Sequence, residues 1–233
     1  MAERLDHKFS IAEAFGFSTT VHYFRGEHAS AMRCAERAIE VCEEGGFAVW
    51  LAHAKLMHGR LLAERDAAAG NKEMQVAYEM WTSTGAVVTR AFYLALRAEG
   101  LAIAGRPDDG LALLREALDT VVTYAERYYE AEIRRLLGEL TLQAAAARGD
   151  DRESEAEHWF LGALSCAQTR SLDSLALRSA TSLGRLWQTA GRVKDAERVI
   201  KPVYAKFTEG LDTQDLRSAR RLIEELDRAV NAA

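Results

Sequence analysis

Small residues recur along this chain at the spacing of a helical hairpin, and that recurrence restricts the fold more than any other feature. Thr19, Gly59, Ala98, Gly138 and Gly184 stand 40, 39, 40 and 46 residues apart. A second series, Ala31, Met74, Gly110, Ala156 and Ala196, lies 12 to 18 residues behind the first. Where the two helices of a hairpin cross, small side chains let the backbones approach closely. Two interleaved series therefore mark five hairpins, each of which buries its apolar face by stacking on its neighbours. The fold this predicts is all-α: a right-handed superhelix, or α-solenoid, closed by a C-terminal capping helix. Five units with both small positions nearly filled argue against chance alignment in an ordinary bundle.

Taken as the eighth position of a roughly 34-residue tetratricopeptide (TPR) unit, the first series puts the fifth unit in register. Leu183, Gly184, Trp187, Ala196, Ile200 and Val203 fall on its packing positions. The fourth unit fits after six extra residues, placed in Ala144–Asp151 as a small, polar turn. The second is loosest, with an insertion near Ala67–Gly70. About five TPR-like units follow, at 9–46, 47–86, 87–126, 127–170 and 171–209, with a cap at 211–230, in one domain over 1–233.

Local signals agree. Ile133, Leu136, Leu137 and Leu140 repeat as one face of a helix, as do Leu216, Ala219, Leu222, Ile223 and Leu226. Ser10 with Glu13 reads as a capping box, and Gly105-Arg106-Pro107 as a stop followed by a first-turn proline. Gly26, Gly45-Gly46 and Gly191 mark further turns. Pro202 falls inside the last paired helix, where a kink or break is expected. Only two prolines occur in 233 residues, so helix is expected nearly throughout.

The net charge of −5 argues against a nucleic-acid surface. No run of about eighteen apolar residues offers a membrane span, and the N-terminus lacks the apolar core of a signal peptide. Three cysteines, Cys34, Cys42 and Cys166, read as reduced, buried small hydrophobes. A cytoplasmic, soluble protein is the expectation.

Three stretches carry a family likeness: Tyr128–Leu140 (YYEAEIRRLLGEL), Leu175–Trp187 (LALRSATSLGRLW) and Pro202–Leu216 (PVYAKFTEGLDTQDL). Together they resemble the C-terminal TPR region of bacterial signalling proteins in which a class III adenylate or guanylate cyclase is followed by an AAA/STAND ATPase. The likeness extends more weakly over residues 9–127. It implies a regulatory, protein-interaction module with no chemistry of its own, whose partners include neighbouring ATPase or cyclase domains. The chain contains no phosphate-binding loop: Gly70-Asn71-Lys72 has no glycine five residues before the Gly-Lys position and no hydroxyl after it. Cyclase or ATPase activity is therefore not carried over.

In TPR units the first helix of each pair lines the concave groove. The register places Arg60, Phe92, Glu99, Arg135, Glu139, Arg178, Arg185 and Gln188 there, with Glu13, Tyr23, His53 and Glu132. Arg135, Arg178 and Arg185 cluster, able to grip carboxylate or phosphate through paired donors or to pair with Glu132 and Glu139. His53 and His58, five apart, do not share a helix face, so no metal site is expected. Trp50, Trp81, Trp159 and Trp187 read as packing residues. No hydroxyl or thiol has a base at an interpretable spacing; no cofactor and no catalytic residues are assigned. A scaffold for a protein or peptide partner is the first reading, and a small-molecule sensor the alternative. A leading face of Phe9, Phe15 and Phe17 fits self-association into a homodimer.

Overall fold

The computed structural model describes residues 7–231, and these form eleven α-helices and one 3-10 turn, with no strand among the described residues. Met1–Asp6, part of the stretch read for a signal peptide, and the last two residues lie outside the described residues. The helices follow as consecutive pairs: α1 (Lys8–Phe24) and α2 (His28–Gly45), α3 (Ala48–Leu62) and α4 (Ala67–Ser83), α5 (Arg90–Ile103) and α6 (Pro107–Tyr124). Then come α7 (Glu130–Arg148) and α8 (Glu153–Thr169), α9 (Asp173–Thr189) and α10 (Val193–Tyr204), and finally α11 (Gln214–Asn231). They gather into two compact units, Met1–Ala117 and Leu118–Ala233.

In the first unit α1 packs on α2 and α3, and α3 packs on α4 and α5. In the second, α7 packs on α8 and α9, and α9 on α8, α10 and α11. Within each unit, therefore, odd-numbered helices are neighbours, as expected of stacked hairpins. The second unit has one continuous core that includes Phe160, Leu177, Leu183, Ile200, Leu216 and Leu222.

The glycines show how the pairs approach. A Cβ on Gly138 would stand 2.4 Å from the Phe160 ring, so α8 presses an aromatic face onto bare α7 backbone. A Cβ on Gly184 would meet Leu222 of α11 at 3.0 Å. At the crossing of α3 on α4 backbone meets backbone, and a Cβ on Gly70 would lie 2.5 Å from both the Ala63 nitrogen and the Gly59 oxygen. Met74, the one large residue in the second small series, is accommodated by glycine on both sides. Its Cγ fills the place of a Gly59 side chain at 2.9 Å, and its Cε that of Gly100 at 2.2 Å. Asn71 then ties α4 to α5, donating to the Gly100 carbonyl at 2.7 Å.

Several sequence expectations are corrected. The insertion near Ala67–Gly70 falls in the first turn of α4, which Asp66 caps by accepting from the Ala69 N–H at 3.0 Å. The stretch that holds the six extra residues of the fourth pair is mostly helical, not a turn: α7 runs on through Ala144–Ala147, strong helix formers, to Arg148, and only residues 149–152 connect it to α8. It stops at Gly149, whose φ of 73° suits a residue without Cβ. The Ser10–Glu13 capping box is not formed. His7 is the cap, its Nδ1 accepting from the Ser10 N–H at 3.3 Å. α10 passes through Pro202 and ends two residues later, so the helix does not break at the proline. Pro107 does open α6, after Gly105 at φ 72°.

Of the cysteines, Cys42 is buried and its thiol pushed up to about 11 by that burial, whereas Cys34 and Cys166 are only half-buried. Trp81 is buried, while Trp50, Trp159 and Trp187 keep an exposed edge. On α1, Phe15 packs against a small core of Ile11, Ala12, Val41 and Cys42. Phe17 remains 58% exposed beside Trp50.

Two glycine replacements separate necessity from accident. Gly70→Ala must push α3 from α4 and is expected to cost about 2–3 kcal/mol, in the range of overpacking. Gly162→Ala on α8 meets nothing nearer than Arg134 at 3.6 Å and should gain about 0.5–1 kcal/mol of helix propensity. Paired thermal melts read both; equal effects would contradict the close-crossing geometry.

Candidate functional site

The odd-numbered helices carry the polar side chains, and each unit gathers them into its own cluster. In the first unit, Arg60 on α3 reaches Glu99 on α5, with Nη2 2.7 Å and Nε 2.8 Å from Oε2. Tyr23 on α1 donates its hydroxyl to the same oxygen at 2.8 Å. Arg60 also bonds Glu64 at 3.2 Å and lies 5.6 Å over the Tyr23 ring. The site is nearly closed to solvent. Burial alone would lower the Arg60 pKa, but the Glu99 carboxylate outweighs it and keeps the guanidinium charged. Phe92 is not a surface residue: it is 2% exposed and packs edge-on against Phe24, with ring centres 5.8 Å apart.

Two turns of α3 before Arg60, His53 is buried among Gly16, Thr20, Trp50 and Tyr93. Its Nε2 lies 3.2 Å from the Gly16 carbonyl and 3.1 Å from the Thr20 hydroxyl. Because a carbonyl only accepts, Nε2 carries the hydrogen, and Nδ1 accepts from the Tyr93 hydroxyl at 2.9 Å. Burial pushes the imidazole down to about 4, against a smaller opposing effect of the Gly16 bond. His53 is therefore neutral at pH 7. His58, on the same helix, instead pairs with Glu73 at 2.8 Å.

The second unit brings together four of the sequence-assigned residues. Arg135 and Glu139 on α7, and Arg178 and Arg185 on α9, line one cleft of about 190 Å³. Thr181 and Ser182 of α9, and Asp215 and Ser218 of α11, complete its wall. Beneath lies Glu132, 3% exposed, which receives a two-bond fork from Arg135 (Nε–Oε2 3.0 Å, Nη2–Oε1 2.8 Å) and a bond from Arg178 at 3.3 Å. Burial would raise the Glu132 carboxyl, but the Arg135 and Arg178 guanidiniums more than offset it and hold the group at about 2. Arg178 is fixed a second time by Asp215 at 2.7 Å. Arg135 and Ser182 both donate to Glu139 Oε1, at 3.1 and 2.6 Å.

Two of the three arginines are thus occupied by internal carboxylates. Arg185 is not: it is exposed, and its guanidinium makes no ion pair or hydrogen bond among the described residues. Gln188, one turn further along α9, bonds Glu225 of α11 at 3.3 Å. The α11 contribution to the cleft was not foreseen, although Asp215 and Ser218 flank the inward stripe of Leu216 and Ala219.

Two acid-stability predictions follow from these groups. A depressed imidazole pKa means the unfolded chain binds the proton first, so the His53 contribution is complete above pH 6.5 and lost as pH falls toward 4. His53→Gln should flatten the stability slope between pH 6.5 and 5 in denaturant titrations; an unchanged slope would contradict a buried neutral imidazole. The Glu132 contribution is present above about pH 4.5 and lost as pH drops through 2. Glu132→Gln at pH 7 should cost roughly 3 kcal/mol, at the low end for a broken buried pair because Arg135 and Arg178 keep other partners.

Comparison with known proteins bears on the fold. No protein-family model matches the chain, and no curated protein does. Among solved structures it is similar to a Rap protein complexed with competence and sporulation factor, at 13% identity and a TM-score of 0.65. That match covers 99% of this chain and 67% of the other. It is also similar to the apo form of RapI, at 13% identity and a TM-score of 0.57, covering 96% and 85%. Identity this low carries the fold and nothing else. The chain is an all-α, TPR-like helical-repeat solenoid, and the likeness does not extend to a cyclase or ATPase neighbour.

Proposed function

We propose that this chain is a non-catalytic TPR scaffold that binds a protein or peptide and serves as the regulatory module of a signalling protein. The observation that carries this is Arg185, an unpaired guanidinium at the mouth of a polar cleft whose other two arginines are already held by Glu132, Glu139 and Asp215. A structural role accounts for the held pair and leaves Arg185 without one. The held pair serves to fix the cleft, and the free arginine faces what comes from outside. A binding role is also in keeping with the similar Rap structure, which holds competence and sporulation factor. The stretches Tyr128–Leu140, Leu175–Trp187 and Pro202–Leu216 support the finer reading: a module next to an ATPase or a class III cyclase of a bacterial regulator. Among the described residues no helix is long and apolar enough to cross a membrane, in keeping with a cytoplasmic site of action.

A small-molecule sensor is the second reading, favoured by one observation: at about 190 Å³ the polar cleft has room for a single small polar molecule and not for a threaded segment. Ligand binding there would shift a regulator between states in proportion to its differential affinity for them.

Affinity capture followed by mass spectrometry tests the scaffold. Wild-type protein and Arg220→Glu, on the exposed face of α11, should enrich the same partner, and Arg185→Glu should lose it. Identical captures by all three would contradict the proposal. A metabolite that raises the melting temperature of wild type but not of Arg185→Glu would favour the sensor.

A further inference from the structure

The cleft between α7, α9 and α11 has a charge pattern that restricts what it can hold, and the inference drawn from it rests on the binding role proposed above. Each internal bond to its two lining carboxylates is made to one oxygen. Glu139 accepts from Arg135 and Ser182 through Oε1, and Asp215 accepts from Arg178 through Oδ2. Glu139 Oε2 and Asp215 Oδ1 have no partner among the described residues, and both side chains are partly open to solvent. Arg185 lines the same cleft, two helical turns beyond Arg178 on the same face of α9, with its planar fork of donors unused. The Ser218 hydroxyl, on α11, is likewise without a hydrogen bond among the described residues.

The cluster of Arg135, Arg178, Arg185, Glu132, Glu139 and Asp215 sums to zero charge. A phosphate dianion bound at Arg185 would share a cleft of about 190 Å³ with two carboxylates and gain little. A ligand with one carboxylate and one cation satisfies both halves: the carboxylate takes the Arg185 fork, and the cation takes Glu139 Oε2 and Asp215 Oδ1. The volume of about 190 Å³ holds about six waters at roughly 30 Å³ each, room for one residue and not for a threaded segment. We infer that this cleft takes the free carboxyl terminus of a chain ending in lysine or arginine. A free basic amino acid shares that chemistry.

Fluorescence anisotropy with the full-length chain tests this, using labelled hexapeptide pools that are random at five positions and end in lysine or arginine. The free-acid pools should bind, and the same pools made as C-terminal amides should bind at least about tenfold more weakly, one unit of hydrogen-bonded charge recognition. Pools ending in glutamate should fail, and inorganic phosphate should not compete. Arg185→Ala should reduce binding by a similar factor, with Arg185→Lys intermediate and both variants melting like wild type. The Arg185 Nε–Hε NMR resonance should shift with the free-acid peptides only. Free lysine or arginine competing at the concentration of the peptide ends would support the chemistry and assign it to an amino acid. Equal binding of acid and amide would overturn the inference, as would no binding of any pool together with an unmoved Arg185 resonance. Pools that bind Arg185→Ala as well as wild type would overturn it while leaving a protein-binding role elsewhere on the chain intact.

Discussion

The absence of side-chain bulk where paired helices cross is the constraint on which the rest of the structure depends. At Gly59 and Gly70 two backbones come within reach of each other's polar atoms; at Gly138 the Phe160 ring lies on bare helix; at Gly184 the capping helix presses Leu222 into the same kind of gap. Interiors are close-packed, so a gap of one methylene on one helix must be matched by a protrusion on its partner. Met74 makes the point from the other side, since its length is taken up by missing side chains at both Gly59 and Gly100. With the pairs set this close, neighbouring odd-numbered helices within a unit lie near enough for Arg60 to reach Glu99 and for Arg178 to reach Glu132.

Those charged contacts do a different job from the apolar ones. A buried ion pair gains little net stability over a well-packed apolar pair, because removing two charges from water costs nearly what their attraction returns. Its benefit is geometric. Glu132 and Asp215 hold Arg178, and Glu132 and Glu139 hold Arg135, in fixed directions. The cleft is consequently preorganised, with one arginine left over. Binding at a preorganised site avoids much of the side-chain ordering that otherwise subtracts from affinity. In the first unit the corresponding polar side chains, Tyr23, Arg60 and Glu99, satisfy one another, and His53 is closed in among Gly16, Thr20 and Tyr93.

Helix number and pairing were legible in the sequence because the small-residue period and the apolar stripes report the same geometry. What was misread lay at helix ends. Ala144–Asp151 was taken as a turn from its departure from the repeat length, but runs of alanine extend helices, and a longer α7 absorbs its first five residues. Ser10 matched a capping pattern that His7, three residues earlier, fulfils instead. At the cleft, the register placed Arg135, Glu139, Arg178 and Arg185 on one face because it fixes which side each helix shows. It placed Phe92 there also and could not show that the ring is covered by Phe24, a neighbour 68 positions earlier in the chain. Asp215 and Ser218 were missed because α11 was read only for its apolar inner stripe and charged outer face, and residues at the border of the two go unassigned in such a reading.

The central claim is that bulk missing on one helix is complementary to bulk on its partner, and a double-mutant cycle between Gly138 and Phe160 tests it most directly. Unfolding free energies are measured for Gly138→Ala, Phe160→Leu and the combined variant, the smaller leucine vacating the volume that the alanine methyl requires. The account predicts that the two changes compensate, the double variant being more stable than the sum of the single effects by about 1 kcal/mol or more, as for side chains in direct contact. Strictly additive losses would mean that the ring does not rest on the Gly138 backbone, and the close-crossing account would be contradicted.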